Sequence, residues 1–124
     1  MNIVDSSAWL EYFADGENAE CFVAPLKDTA SLVVPVITIY EVFKVVLRER
    51  GENEALQAVA AMLKGAVCDL TTHLALSASK LSLHYSLPMA GSIILATAQL
   101  HDATLWTQDV DFKGIPKVKF FPKK

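Results

Sequence analysis

The chain has 124 residues, 52% of them hydrophobic, and a formal net charge of −3. That length suits one domain spanning residues 1–124 with a continuous core. The acidic balance, with a pI near 5.5, argues against broad electrostatic binding of nucleic acid and leaves that role to local basic clusters.

A mean hydropathy of +0.32 is high for a small domain and suggests apolar surface reserved for a partner or a second copy of the chain. No apolar run is long enough to cross a bilayer and no signal peptide opens the sequence, so the expectation is a cytoplasmic protein with no membrane role. Cys21 and Cys68 lack metal or redox spacing and read as packed thiols.

Asn2-Ile3-Val4 reads as a strand ending at Asp5. In an open α/β sheet, ligands bind beyond the carboxyl ends of the strands, which would deliver the Asp5 carboxylate to that crevice. Asp5, Ser6 and Ser7 are also good caps for the helix expected over residues 7–14. Glu17 to Asp28 is predicted as a second helix, weakened or kinked by Pro25. Leu32-Val33-Val34 is an apolar strand closed by Pro35.

Thr38-Ile39-Tyr40-Glu41 leads into an apolar-rich helix that runs to Arg50 and stops at Gly51. Glu52 to Lys64 forms another, with Leu56, Val59, Ala60 and Leu63 at helical spacing. Ala66 to Leu70 is a third strand. Thr71 or Thr72 caps a helix carrying Leu74, Ala78, Leu81 and Tyr85, and Pro88 ends it. Ile93 to Leu100 is an apolar helix buried on most sides, Thr104 to Thr107 a fourth strand, and Lys117 to Phe121 a short fifth. Apolar strands alternating with helices define an α/β fold, a mainly parallel sheet of about five strands covered on both faces.

Three acids fall in comparable places. Asp5 follows the first strand, Glu41 lies early in the helix after the second, and Asp109 follows the fourth. Right-handed crossovers bring these strand ends to one edge of the sheet. Carboxylates gathered there need a cation to stay ionised together, and hard oxygen donors favour Mg²⁺ or Mn²⁺ over zinc. Each acid also has a structural alternative. Thr38 and Glu41 fit a capping box, and Asp109-Val110-Asp111 fits a polar turn, with Asp111 a supporting or surface acid. Asp69 reads as structural, and His73, His84 and His101 lack ligand spacing. Lys44, Arg48 and Arg50 form one basic cluster, and Lys113, Lys117, Lys119, Lys123 and Lys124 another. Each reads as a solvated face, and together they could line one side of an acidic site.

Four segments now carry a resemblance: Val4-Asp5-Ser6-Ser7-Ala8-Trp9, Ile39-Tyr40-Glu41-Val42, Ile93-Ile94-Leu95-Ala96-Thr97-Ala98 and Thr107-Gln108-Asp109-Val110-Asp111-Phe112. Their order and separation resemble a PIN-domain ribonuclease, most of all the VapC-type toxins of toxin–antitoxin pairs. The resemblance covers essentially the whole chain. It implies a three-layer α/β/α domain and an Mg²⁺- or Mn²⁺-dependent endoribonuclease site. Asp5, Glu41 and Asp109 match three of the family's acids, with Ser7 and Thr107 matching hydroxyls that hold them. It also implies an RNA substrate, a VapB-like antitoxin, and a homodimer or toxin–antitoxin hetero-oligomer.

One position departs from the pattern. The family carries an acid just before the apolar run after Pro88, and here Met89-Ala90-Gly91-Ser92-Ile93 places Gly91 there. If Pro88 occupies the first helical position, Gly91 lies inside the first turns and costs about 0.5–1 kcal/mol relative to alanine. If Gly91 or Ser92 is the N-cap, glycine is tolerable. The expectation is a nuclease impaired by one missing ligand, with a catalytically dead module that still binds antitoxin or RNA as the alternative. A receiver-like phosphoacceptor domain fits poorly, because Asp5 is followed by serines rather than a second acid. The helix from Ile39 to Leu47 is more apolar than one core-facing stripe requires. Its surplus suits an antitoxin groove or a dimer contact.

Overall fold

The computed structural model describes all residues, Met1–Lys124. It contains β1 (Asn2–Val4), α1 (Ser6–Phe13), α2 (Val23–Lys27), β2 (Val33–Pro35), α3 (Val36–Arg50), α4 (Glu52–Met62), β3 (Ala66–Cys68), α5 (Thr72–Tyr85), α6 (Met89–Leu100), β4 (Thr104–Thr107) and β5 (Val118–Phe120). All strand pairings are parallel: β1 with β4, β4 with β5, and β2 with β3. A parallel bridge from Asn2 to Leu32 joins the two groups, giving the spatial order β3-β2-β1-β4-β5. Strand order therefore reverses beside β1, which opens a crevice at the carboxyl ends of β1 and β4.

The period-2 geometry of the strands sorts their apolar residues onto two faces. Val4, Leu32 and Val34 point into a core shared with Ala8 and Trp9 of α1, Val42 and Val46 of α3, and Ala55, Ala58 and Met62 of α4. Ile3, Val33 and Leu105 point the opposite way, against Ile94, Leu95 and Ala98 of α6. The sheet is thus covered on both faces, as its apolar strands predict. α5 packs outside α6 through Leu74 and Ala78. No single helix is long and apolar enough to cross a membrane.

Several boundaries differ from the sequence reading. The helix predicted from Glu17 to Asp28 is instead a 3₁₀ turn over Ala19–Phe22 followed by the short α2. Pro25 sits in the first turn of α2, where no intrahelical N–H bond is required, so it does not kink the helix. β3 is shorter than predicted, with Ala66 and Val67 exposed and only Cys68 half-buried, because it lies at the edge of the sheet.

The core face of α4 is also not the predicted one. Ala55, Ala58 and Met62 are buried, while Leu56 and Leu63 are exposed at 53% and 55%. Small alanines allow α4 to lie close against α3, and the larger leucines turn outward. Between these helices Gly51 adopts φ +91°, a left-handed conformation that favours glycine. α3 buries Thr38, Val42 and Val46 but leaves Tyr40 and Leu47 exposed. Its apolar surplus therefore lies on the surface. Cys21 and Cys68 are free and half-buried, as expected of packed thiols.

Candidate active site

β1 delivers Asp5 to the crevice. The Asp5 backbone N–H extends the ladder by donating to Trp106 O of β4 at 2.9 Å. Asp5 stands at the N-cap position of α1, yet its side chain makes no capping bond, so the capping alternative does not account for its carboxylate. Instead Asp5 Oδ2 accepts from Ser7 Oγ at 2.7 Å and from Thr107 Oγ1 at 2.9 Å. Asp5 is only 4% exposed. Burial pushes its carboxyl above the usual carboxylate range, the Ser7 and Thr107 hydroxyls pull it partly back, and the Asp109 carboxylate raises it further.

Thr107 couples two acids through one buried hydroxyl. Its Oγ1 donates to Asp5 and accepts from the Asp109 backbone N–H at 2.9 Å. Asp109 is half-buried, and its Oδ1 accepts from the Asp111 backbone N–H at 3.0 Å, capping the 3₁₀ turn Val110–Phe112. The polar-turn reading of this segment is therefore correct as far as it goes, and Asp109 also faces the crevice. Asp111 is exposed at the rim.

Glu41 departs from its predicted structural alternative. α3 starts at Val36 with Pro35 as N-cap, so Thr38 lies inside the helix and donates its hydroxyl to Pro35 O at 2.7 Å. No capping box forms. Glu41 Oε1 instead accepts from Ser6 Oγ at 2.6 Å. Ser6 thus orients Glu41 and Ser7 orients Asp5, two neighbouring hydroxyls serving two different carboxylates.

Gly91 is buried at the third position of α6, with Pro88 as N-cap. Neither Gly91 nor Ser92 caps the helix, and Pro88 precedes the first helical position rather than filling it. A Cβ at position 91 would lie 3.2 Å from Phe112 Cζ and 3.7 Å from Pro88 Cγ. Asp5, Glu41, Gly91, Asp109 and Asp111 line one cavity of about 290 Å³. Four carboxylates face this space, and no lysine, arginine or histidine lines it. No three acidic, histidine or cysteine side chains are arranged to enclose a metal ion unaided. The oxygen-only donor set, the buried Asp5 and the lack of any counter-charge nevertheless fit a largely hydrated hard cation, since Mg²⁺ is usually held by only one or two carboxylates. Asp69 and the three histidines lie outside this cavity.

Two buried amides were not apparent from the sequence. Asn18, 1% exposed, donates from Nδ2 to Gln108 Oε1 at 3.1 Å and to Pro122 O at 3.0 Å. Gln108 Nε2 in turn donates to Ser7 O at 3.3 Å. Asn18 falls near the start of the helix predicted from Glu17 to Asp28 and carries no local signal, and Gln108 was visible only as the residue between Thr107 and Asp109.

The PIN-domain family model matches residues 3–118. The chain belongs to the PIN-domain family. No curated protein sequence matches it. Among solved structures, this PIN domain is similar to a chain of a toxin–antitoxin complex from Klebsiella pneumoniae, at 24% identity and a TM-score of 0.82, covering 98% of this chain and 99% of the other. It is also similar to VapC20 of Mycobacterium tuberculosis, a toxin that cleaves the sarcin–ricin loop, at 17% identity and a TM-score of 0.79, covering 94% and 95%. A chain of DNA-bound VapBC2 from Rickettsia felis gives 13% identity and a TM-score of 0.73, covering 98% and 97%. These likenesses establish a shared fold over almost the whole of each chain.

Proposed function

We propose that this PIN domain is a VapC-type endoribonuclease, the toxin of a toxin–antitoxin pair, which hydrolyses RNA phosphodiester bonds in the cytoplasm with Mg²⁺ or Mn²⁺. The observation that carries the reading is the cavity at the β1/β4 switch point, which Asp5, Glu41, Asp109 and Asp111 line with no lysine, arginine or histidine among them. Asp5, Asp109 and Glu41 would hold the ion. A bound divalent cation supplies charge neutralisation and a water of lowered pKa, the nucleophile that phosphodiester hydrolysis needs. Ser7 and Thr107 fix Asp5, Ser6 fixes Glu41, and Asp111 supports the rim.

Gly91 removes one carboxylate from this cavity, which weakens cation binding and the positioning of the attacking water. The chain as it stands is therefore an impaired nuclease. The test compares cleavage of structured RNAs by this chain and by Gly91→Asp, each with Mn²⁺ and with EDTA. The reading expects a metal-dependent gain in the variant, and equal activity in both would rule out position 91 as a working ligand site.

The second reading, a catalytically dead module retained for binding, draws on Gly91 alone. Retention of Asp5, Glu41 and Asp109 weighs against it. For partners, we infer a VapB-like antitoxin seated in the groove of about 570 Å³ between α1, α3 and α4, where Leu10, Phe13, Val45 and Val46 meet Arg50. An amphipathic helix is the occupant such a groove suits. The toxin–antitoxin assemblies among the similar structures support that inference, and exposed Tyr40 and Leu47 leave surface for a homodimer.

A further inference from the structure

The C-terminal lysines do not form one undifferentiated solvated face. Lys117 pairs with Asp102, and Lys119 Nζ lies over the Trp106 ring, 4.4 Å from its centroid. Lys113 and Lys123 make no ion pair. Both line a groove of about 330 Å³ together with Phe120, Pro122 and Asp109. Asp109 also lines the acid cavity, so the groove opens directly beside the proposed site of cleavage.

This groove is built from held parts. Phe121 N–H donates to Thr107 O at 2.9 Å, and the buried Asn18 amide donates to Pro122 O, so the segment that carries Lys123 is tied to the same strand end that carries Thr107 and Asp109. Phe120 is half-buried, and Lys113 Nζ lies 5.9 Å from its ring centroid. A cation beside a partly open aromatic face, next to a second free cation, is the pairing that single-stranded nucleic acid uses: phosphates on the lysines and a base on the ring.

We propose that this groove binds the single-stranded RNA segment flanking the scissile phosphate, with Lys113 and Lys123 on backbone phosphates and Phe120 beneath a base. The assignment rests on the nuclease reading of the acid cavity and adds the path the strand takes out of it. An overall charge of −3 and the acids at the cleavage site repel RNA. The two unpaired lysines supply the local attraction that holds a strand there against that field. The groove sits at the small end of ligand-sized pockets, which span about 300–1,000 Å³, and a stacked duplex offers no free base face to the ring. It therefore takes unpaired nucleotides.

The test measures fluorescence anisotropy of a labelled ten-nucleotide RNA in EDTA, where binding is read without cleavage. The proteins are the full chain, Lys113→Gln, Lys123→Gln, Phe120→Leu and, as a distant surface control, Lys80→Gln. Circular dichroism confirms that each is folded, and Phe120→Tyr stands in if Phe120→Leu does not fold, with unchanged affinity expected because the ring is kept. Each groove lysine removed should reduce the slope of log affinity against log salt by about 0.7, and loss of the ring should weaken binding roughly tenfold. Lys80→Gln should change neither.

Unchanged affinity and slope in both lysine variants would overturn the proposal, as would equal affinity for an RNA duplex. A polyglutamate peptide whose binding follows the same three substitutions would assign the groove to an acidic protein segment instead. Because the readout is metal-free binding, it separates from the nuclease reading. A Gly91→Asp protein that fails to cleave while RNA binding follows Lys113 and Lys123 removes the nuclease but keeps the groove.

Discussion

The Thr107 hydroxyl lies 2.9 Å from Asp5 Oδ2 and donates to it, while accepting the backbone N–H of Asp109. One buried side chain therefore sets the position of a carboxylate on β1 and of the residue that follows β4. Thr107→Val keeps the shape but leaves the Asp109 N–H without its acceptor and Asp5 with one fewer donor. It should cost about 1–3 kcal/mol of stability, the usual penalty for a buried polar group left unpaired. Thr107→Ser, which retains the hydroxyl, should recover most of it. Chemical denaturation of the three proteins in EDTA measures both.

Asp5 gives a pH dependence with a definite sign. Burial lifts its carboxyl above the unfolded-state value, so the folded chain binds this proton more tightly than the unfolded chain does. The Asp5 contribution to stability therefore falls as pH rises from about 4 through the folded-state value, and stays lowered above it. Asp5→Asn can still accept from Ser7 and Thr107 and carries no charge. In EDTA at neutral pH it should melt at a higher temperature than the parent, with the gap closing toward pH 4. A variant that melts lower at pH 7 would show that the buried charge is not a cost to the fold.

Ser6→Ala isolates Glu41. The hydroxyl bond is 2.6 Å long and partly buried, so its loss should cost only about 0.5–1.5 kcal/mol. The larger effect should be a weaker response to Mn²⁺, because Glu41 is no longer aimed into the cavity. Thermal shifts with and without Mn²⁺ compare the two effects in one experiment.

Gly91 calls for a paired substitution. Gly91→Ala improves helix propensity by up to about 1 kcal/mol but places Cβ 3.2 Å from Phe112 Cζ, so the net change should be within about 1 kcal/mol of zero. Gly91→Asp adds a favourable interaction with the α6 N-terminus and repulsion from the acids already present. In EDTA it should be less stable than Gly91→Ala, and saturating Mn²⁺ should reverse that order.

Much of the arrangement was legible because strand chemistry is local. A short run, Asn2-Ile3-Val4, ending in an acid announces β1 and Asp5, and the same logic finds Asp109 after Thr104–Thr107. The side of α4 that packs was not legible: a helical stripe of leucines competes with a stripe of alanines, and tertiary fit selected Ala55 and Ala58. Glu41 was found but its partner was misassigned, because Thr38 and Glu41 satisfy a capping spacing that matters only if the helix starts at Thr38. It starts at Val36. Asn18 was out of reach altogether, since its partners Gln108 and Pro122 lie across the chain and meet it only in the folded molecule.

The central claim is that the acids around Asp5 form one divalent-cation site lacking a ligand at position 91. Calorimetric titration of Mn²⁺ into the chain, Asp5→Asn and Gly91→Asp tests it most directly. The account predicts one weak saturable site in the parent, its loss in Asp5→Asn, and tighter binding in Gly91→Asp. Identical isotherms for all three proteins would contradict it.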